Sequence, residues 1–339
     1  MGNMTIKDIA KQCGVGVSTV SRALNNHSDI RPETRRRILE AVEKSDFVPN
    51  NSARNLKRTD SKTIAILVRE IDNPFFSVMI RVMEQEIRKE KYSFFIQHMG
   101  KGQDEVDAAV EIVEEKRLRG IIYLGGDFQS CMERLPRLRV PFVACTVRLP
   151  EIPEDCVGSY VTIDDRRESR RLVDYLCHEG HKKIAILASD KKDTNIGQAR
   201  MEGYKEALAA NQVPLCEELV RYQDEKEAVY SMESGYRMMK KLLKETDNFT
   251  AVFAISDLMI IGACKALLEE GKRIPQDVAV AGFDGIAYTE YFEPSITTIV
   301  QPAEEIAREA VESLFEMIRT KKSRAGKILP AKLEIRKST

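Results

Sequence analysis

The chain has no tryptophan, four histidines and an aromatic content of only 6%. The histidines show no ligand spacing with one another or with cysteine, so no metal site is expected. Its cysteines, at 13, 131, 145, 156, 177, 216 and 264, form no CxxC pair. An odd number scattered over a long chain does not suggest a disulfide framework and points to buried reduced thiols. No apolar run is long enough to cross a bilayer, and the start, MGNMTIKDIA, lacks an apolar signal region. The expected address is therefore the cytoplasm, with no membrane partner. There is no nucleophile elbow, no GxxxxGK[ST] loop and no dinucleotide glycine fingerprint. The Gly125-Gly126 pair and Gly282 are too sparse to cradle phosphates. These absences argue against an enzyme and against a bound cofactor.

Net charge is also missing, with 53 basic and 53 acidic residues, but its distribution is uneven. Residues 1–60 hold eleven Lys and Arg against seven Asp and Glu, and the other 279 hold 42 against 46. A small basic head on a slightly acidic body suits a polyanion-binding module joined to a second function.

The head, residues 1–48, carries the sharpest pattern. In TIKDIAKQCGVGVSTVSRAL, Ile6, Ile9, Ala10 and Cys13 fall on one helical face. Thr5 and Asp8 make a short capping box, Gly14 supplies a turn, and Gly16 caps a second helix. That helix turns Val20 and Leu24 inward. A third is expected from Pro32 to Lys44, with Ile38, Leu39 and Val42 as its core side. This is a helix-turn-helix whose second helix enters a DNA major groove. Arg22 offers a planar fork for guanine or phosphate. Val17 and Ser18 start the reading helix, and Thr5, Thr19, Ser21 and Asn25 suit phosphate oxygens.

The run GVGVSTVSRALN, followed by RPETRRRILEAVEKSDFVPNNSARNL, resembles the head of the lactose-repressor/galactose-repressor family of bacterial transcription regulators. The likeness extends over essentially the whole chain. Gly16 stands where that family has serine, and Arg31 where it has a small polar residue. For residues 49–61 the resemblance implies a hinge helix that pairs with its copy on DNA. Asn50 and Ala53 would lie near the minor groove, with Leu56 wedged into the central base step. An apolar wedge of that kind unstacks a step and kinks the duplex.

Beyond residue 61, β-branched runs alternate with amphipathic helical stretches. Strands are expected at Thr63–Val68, Ser93–Gln97, Gly120–Leu124, Phe142–Cys145, Lys183–Ala188, Leu219–Arg221, Ala251–Ile255 and Val278–Ala281. This βαβ alternation in two series predicts an α/β body of two doubly wound parallel sheets. The resemblance implies a periplasmic-binding-protein-like pair of lobes, 62–162 with 300–325 and 163–299 with 326–339. Ligands of such sheets bind past the carboxyl ends of strands. Asp72, Asn73 and Phe75 follow the first strand, and Thr146 and Arg148 the fourth. Ser189, Asp190, Arg200, Ser256, Asp257 and Asp284 stand after strands of the second series. Tyr230 and Phe75 are candidate rings for the apolar face of a sugar. Asp257 is equally well read as a helix cap. By resemblance, Asn73, Phe75, Arg200, Tyr230, Ser256 and Asp284 line an effector cleft. Thr146 falls where many members have an aspartate that binds a sugar hydroxyl.

The expected protein is a homodimeric repressor of a carbohydrate-use operon. It binds palindromic operator DNA under control of a small-molecule effector, a sugar or sugar derivative. The absence of an apolar heptad after LPAKLEIRKST points to a dimer rather than a coiled-coil tetramer. The helix from Phe76 to Glu90 is a candidate dimer face, and its Met79 and Met83 are equally well read as core. Two other readings compete: a sugar-binding transport receptor, and a global catabolite regulator with a phosphocarrier protein as co-repressor. The helix-turn-helix opposes the first. Glu312, where such regulators carry an arginine, opposes the second.

Overall fold

The computed structural model describes residues 5–24, 30–43, 45, 62–100, 102–224 and 230–339. Two compact units result, Met1–Ser61 and Lys62–Thr339.

In the first unit, α1 (Ile6–Gln12), α2 (Val17–Leu24) and α3 (Pro32–Glu43) surround a core of Ile9, Ala10, Cys13, Val20, Ala23, Ile38 and Ala41. The backbone nitrogen and hydroxyl of Thr5 both donate to Asp8 Oδ2, at 2.8 and 2.6 Å. These two bonds hold the Asp8 carboxyl below its usual range. Gly14 makes the turn at φ +61°, a conformation that costs glycine little. One expectation for α3 fails. Leu39 is 42% exposed, and Ala41 takes the buried position. The helical period explains it, because Ile38 shares its face with positions three and four residues on, and Leu39 lies about 100° away.

Among the described residues, the second unit contains twelve strands. They are β1 (Thr63–Val68), β2 (Ser93–His98), β3 (Gly120–Leu124), β4 (Phe142–Cys145), β5 (Gly158–Thr162) and β6 (Ile184–Ala188), then β7 (Val220–Tyr222), β8 (Ala251–Ala254), β9 (Ala279–Asp284), β10 (Thr297–Val300), β11 (Lys327–Ile328) and β12 (Lys332–Glu334). The principal helices are α4 (Pro74–Lys89), α5 (Glu105–Lys116), α6 (Asp165–His178), α7 (Ile196–Ala210), α8 (Met232–Glu245), α9 (Asp257–Glu269), α10 (Tyr288–Tyr291) and α11 (Ala303–Thr320). Two six-stranded sheets form, in the orders β11-β5-β4-β3-β1-β2 and β12-β10-β9-β8-β6-β7. The pairings are parallel except β10 with β12.

Strand periodicity shows how the first sheet is covered on both faces. Ile64, Ile66 and Val68 of β1 enter one apolar cluster, and Ala65 and Leu67 enter the other. The same split separates Ile122 and Leu124 from Ile121 and Tyr123 in β3. Alternate side chains point to opposite faces, so an unbroken apolar strand needs helices on both sides.

The chain passes between sheets after β5, after β10 and after β11. The last crossing corrects the expected boundary at residue 326, because β11 pairs with β5 of the first sheet. Met79 and Met83 are both fully buried, which selects the core reading of these two residues over the dimer-face reading. Burying each side chain contributes about 1.5–3 kcal/mol, so that face of α4 is held inward.

Candidate functional sites

On the head, α2 divides cleanly. Val20 and Ala23 are buried, and Val17, Ser18 and Arg22 are exposed. Thr19 and Ser21 are half-buried, and Thr5 is exposed at the start of α1. The structure therefore brings Val17, Ser18, Ser21 and Arg22 together along the outer side of one helix. Asn25, Asn50, Ala53 and Leu56 lie outside the described residues.

In the body, the carboxyl ends of both sheets open onto one cavity of about 370 Å³. Asn73, Phe75, Thr146, Arg200, Tyr230, Ser256 and Asp284 all line it. Asp257 does not, and its carboxylate is fully engaged inside the protein. Oδ2 accepts from the backbone nitrogens of Gly285 and Ile286, at 2.7 and 2.8 Å, and Oδ1 accepts from the Thr298 hydroxyl at 2.7 Å. Asp257 braces the turn after β9 and opens α9, which corrects its assignment as a ligand contact. Asp72 and Arg148 are exposed and are not part of the cavity lining.

The second lobe supplies a buried ionic cluster. Arg200, in the second turn of α7, donates through Nε to Asp165 Oδ1 at 2.8 Å and through Nη1 to the Ile255 carbonyl at 2.5 Å. Its Nη1 also meets Asp284 Oδ1 at 3.4 Å, and Gln301 Nε2 donates to the same oxygen at 2.9 Å. The guanidinium lies 3.7 Å from the centre of the Phe283 ring. Burial raises the Asp284 carboxyl above its ordinary range, against the pull of Arg200. The Tyr230 hydroxyl donates to Asp193 Oδ2 at 2.9 Å, and burial pushes that phenol well above its usual value.

The first lobe supplies Phe75 and Phe76, whose ring centres are 5.4 Å apart, and Asn73. The Asn73 side-chain oxygen caps α4 by accepting from Phe75 nitrogen at 3.1 Å. Arg69 and Glu105 form a second ion pair. Arg69 Nε reaches Glu105 Oε1 at 2.8 Å, and its terminal nitrogens donate to the carbonyls of Gly100 and Gln103. Glu70 joins this wall, and crowding by protein atoms pushes its carboxyl up to about 8.

Two features make the cavity a candidate binding site. Thr146, Tyr230 and Asp284 have φ values of 65°, 51° and 122°. Such strain in side-chain-bearing residues concentrates where surrounding structure holds a site in place. In addition, the buried hydroxyls Thr146 Oγ1 and Ser256 Oγ have no hydrogen-bond partner among the described residues. An unmet buried polar group costs about 1–3 kcal/mol, which a ligand hydroxyl would recover.

The lobes also touch directly beside the cavity. Asn195 Nδ2 donates to the Gly126 carbonyl at 3.0 Å, and Gln129 Nε2 donates to the Thr194 carbonyl at 2.9 Å. Arg69, Glu70, Glu105, Asp193 and Gln301 were not expected from the sequence. Arg69 and Glu70 immediately follow β1, so the strand-end rule covers them when applied from its first residue.

A family model described as "Bacterial regulatory proteins, lacI family" matches residues 5–50, and one for a periplasmic binding protein-like domain matches residues 173–339. The HTH-type transcriptional regulator MalR of Clostridium butyricum is 37% identical over 337 residues, covering 99% of each chain. The transcriptional regulator CelR in complex with cellobiose is 30% identical, with a TM-score of 0.71 over 99% of this chain and 100% of that one. The lac repressor dimer bound to operator shares the fold, with a TM-score of 0.78 at 23% identity over 99% of each chain. A helix-turn-helix head followed by two parallel-sheet lobes, matched over nearly the full length of such relatives, places the chain in the lacI family of bacterial regulatory proteins, as a transcriptional regulator and not an enzyme.

Proposed function

We propose that the protein is a homodimeric repressor of a carbohydrate-use operon, whose affinity for a palindromic operator is set by a sugar held between its lobes. The observation that carries this reading is the cavity at the strand ends, where Thr146 Oγ1 and Ser256 Oγ lack partners among the described residues and stand beside Phe75 and Tyr230. Hydroxyl-seeking groups next to aromatic rings suit a polyol with one apolar face. The cellobiose bound by the related CelR supports the same chemistry.

A ligand that contacts both lobes binds one lobe arrangement better than another, and linkage then requires operator affinity to change with it. The three interlobe crossings are the segments that would move. Asn50, Ala53 and Leu56 are the proposed hinge contacts with DNA. Val17, Ser18 and Arg22 are the proposed base contacts, and Thr5, Thr19, Ser21 and Asn25 the phosphate contacts. Two copies match a palindromic site because each head reads one half. The cytoplasm is the proposed location. Glu312, 67% exposed on α11, argues against a phosphocarrier co-repressor.

A thermal-shift screen with sugars tests the cleft, because a ligand of the folded state raises its stability with saturation. A gel shift on genomic fragments at two salt concentrations tests the head, since phosphate contacts give a steep salt slope. Arg22→Ala is expected to abolish operator binding while leaving the thermal shift intact. Specific binding retained by that variant would refute the role of Arg22.

A further inference from the structure

The charge balance of the cleft is one-sided. Among the described residues, Arg69 and Arg200 are the only cations lining it, and both are engaged. Arg69 is held by Glu105 and two carbonyls, and Arg200 by Asp165, Asp284 and the Ile255 carbonyl. The same cavity is lined by Glu70, Asp127, Asp190, Asp193 and Asp284. Glu70 makes no hydrogen bond to another described residue through its side chain.

Helix N-termini would be the remaining anion sites. Four helices start at this cavity: α4 and α5 are capped by side chains, and α7 and α9 have no side-chain cap but carry a carboxylate at or just before their first turn. α4 begins with Pro74, which has no N–H, and Asn73 takes the nitrogen of Phe75. Asp104 accepts from the nitrogens of Val106 and Asp107, at 3.0 and 2.9 Å, at the start of α5. Asp193 accepts from Asn195 nitrogen at 2.8 Å ahead of α7. The buried Asp257 opens α9.

We infer that this cleft takes an uncharged sugar and rejects the phosphorylated or carboxylate forms of the same sugar. The inference rests on the sugar reading above and narrows it to one charge class. Among the described residues an added anion would find no free cation. The starts of α7 and α9 have no side-chain cap, but Asp193 stands against Gly197 in the first turn of α7 and Asp257 is the first residue of α9. The anion would also face Asp127 from the first lobe and Asp190 from the second. A neutral polyol meets the same groups as hydrogen-bond partners.

The test is calorimetric titration of the full-length protein with matched ligands at fixed ionic strength. Glucose is compared with glucose 6-phosphate, and maltose and cellobiose with their 6′-phosphates. Galactose is compared with galacturonate and with galacturonate methyl ester, which is larger than the acid but neutral. The expected result is that a neutral sugar binds and its charged counterpart binds at least a hundredfold more weakly. For the galactose set, the methyl ester stays within about tenfold of the parent sugar. An anion that binds as tightly as its neutral counterpart overturns the charge selection and leaves the sugar reading standing. Rejection of the methyl ester as strong as that of the acid overturns it too, since size would then explain the exclusion. Failure of every sugar to bind removes the sugar reading, and the inference with it.

Discussion

The two lobes repeat one scaffold and bring different chemistry to the cleft. Their sheets have corresponding strand orders, each with a terminal strand supplied by the end of the chain. The first lobe offers two phenylalanine rings and an asparagine, plus an ion pair near the rim, where the Arg69 side chain is 21% exposed. The second offers a cluster buried outright, with the Arg200 side chain 6% exposed against Asp165 at 10% and Asp284 at 7%. The lesson is that shared topology fixes where the site lies, at the strand ends, and leaves its chemistry to individual loop residues. The second lobe supplies the buried polar cluster, and the first meets it through the Gly126 and Gln129 contacts.

The largest expected effect separates the two arginines. Arg200→Ala strands two buried carboxyl groups and should destabilise the body by about 3–5 kcal/mol in urea unfolding. Arg69→Ala should cost less, about 1–3 kcal/mol, because Glu105 keeps the backbone nitrogen of Asp127 as a donor and the site is wetter. Equal costs would erase the distinction between the rim pair and the buried cluster.

Acidity offers the next comparison. Glu70 is raised to about 8, and Asp284 is raised as well, so each binds its proton more tightly folded than unfolded. Stability contributed by these groups is therefore present in acid and is lost as pH rises from the ordinary carboxylate range toward 8. The thermal midpoint of the body should fall between pH 5 and 8.5, and Glu70→Gln should fall less steeply. A midpoint that rises over this interval in both proteins would contradict the assignment.

The smallest effect concerns closure. Asn195→Ala combined with Gln129→Ala removes two interlobe hydrogen bonds at a cost of about 0.5–1.5 kcal/mol each. Overall stability should move little, while sugar affinity drops by roughly tenfold and small-angle scattering reports a wider body. Unchanged affinity would show that these contacts take no part in closing the cleft.

Much of this architecture is legible in the chain itself, for physical reasons. The strands found by inspection, such as Thr63–Val68 and Gly120–Leu124, are buried on both faces and so read as unbroken apolar runs. β5, with sequence GSYVT, and β10, with TTIV, are short and rich in hydroxyls. β11 and β12 span two and three residues, too few to show a period. Leu39 differs from expectation because apolar character alone does not say which side of a helix is covered. The strand-end rule located Asn73, Thr146, Ser256 and Asp284. It could not separate Asp257, whose carboxylate turns to the backbone of Gly285 and Ile286, from its neighbour Ser256. Glu105 was invisible because its partner Arg69 lies on a different element, 36 positions away.

Under the proposed function, the cleft governs the head. The most direct test measures affinity for a DNA fragment retained from a genomic library, with and without a sugar found in the thermal screen, for wild type and Arg200→Ala. The account predicts that the sugar changes wild-type affinity at least tenfold. It also predicts that Arg200→Ala, assayed at a temperature where it remains folded, keeps the fragment and loses the response. Wild-type binding that ignores a saturating sugar would contradict it.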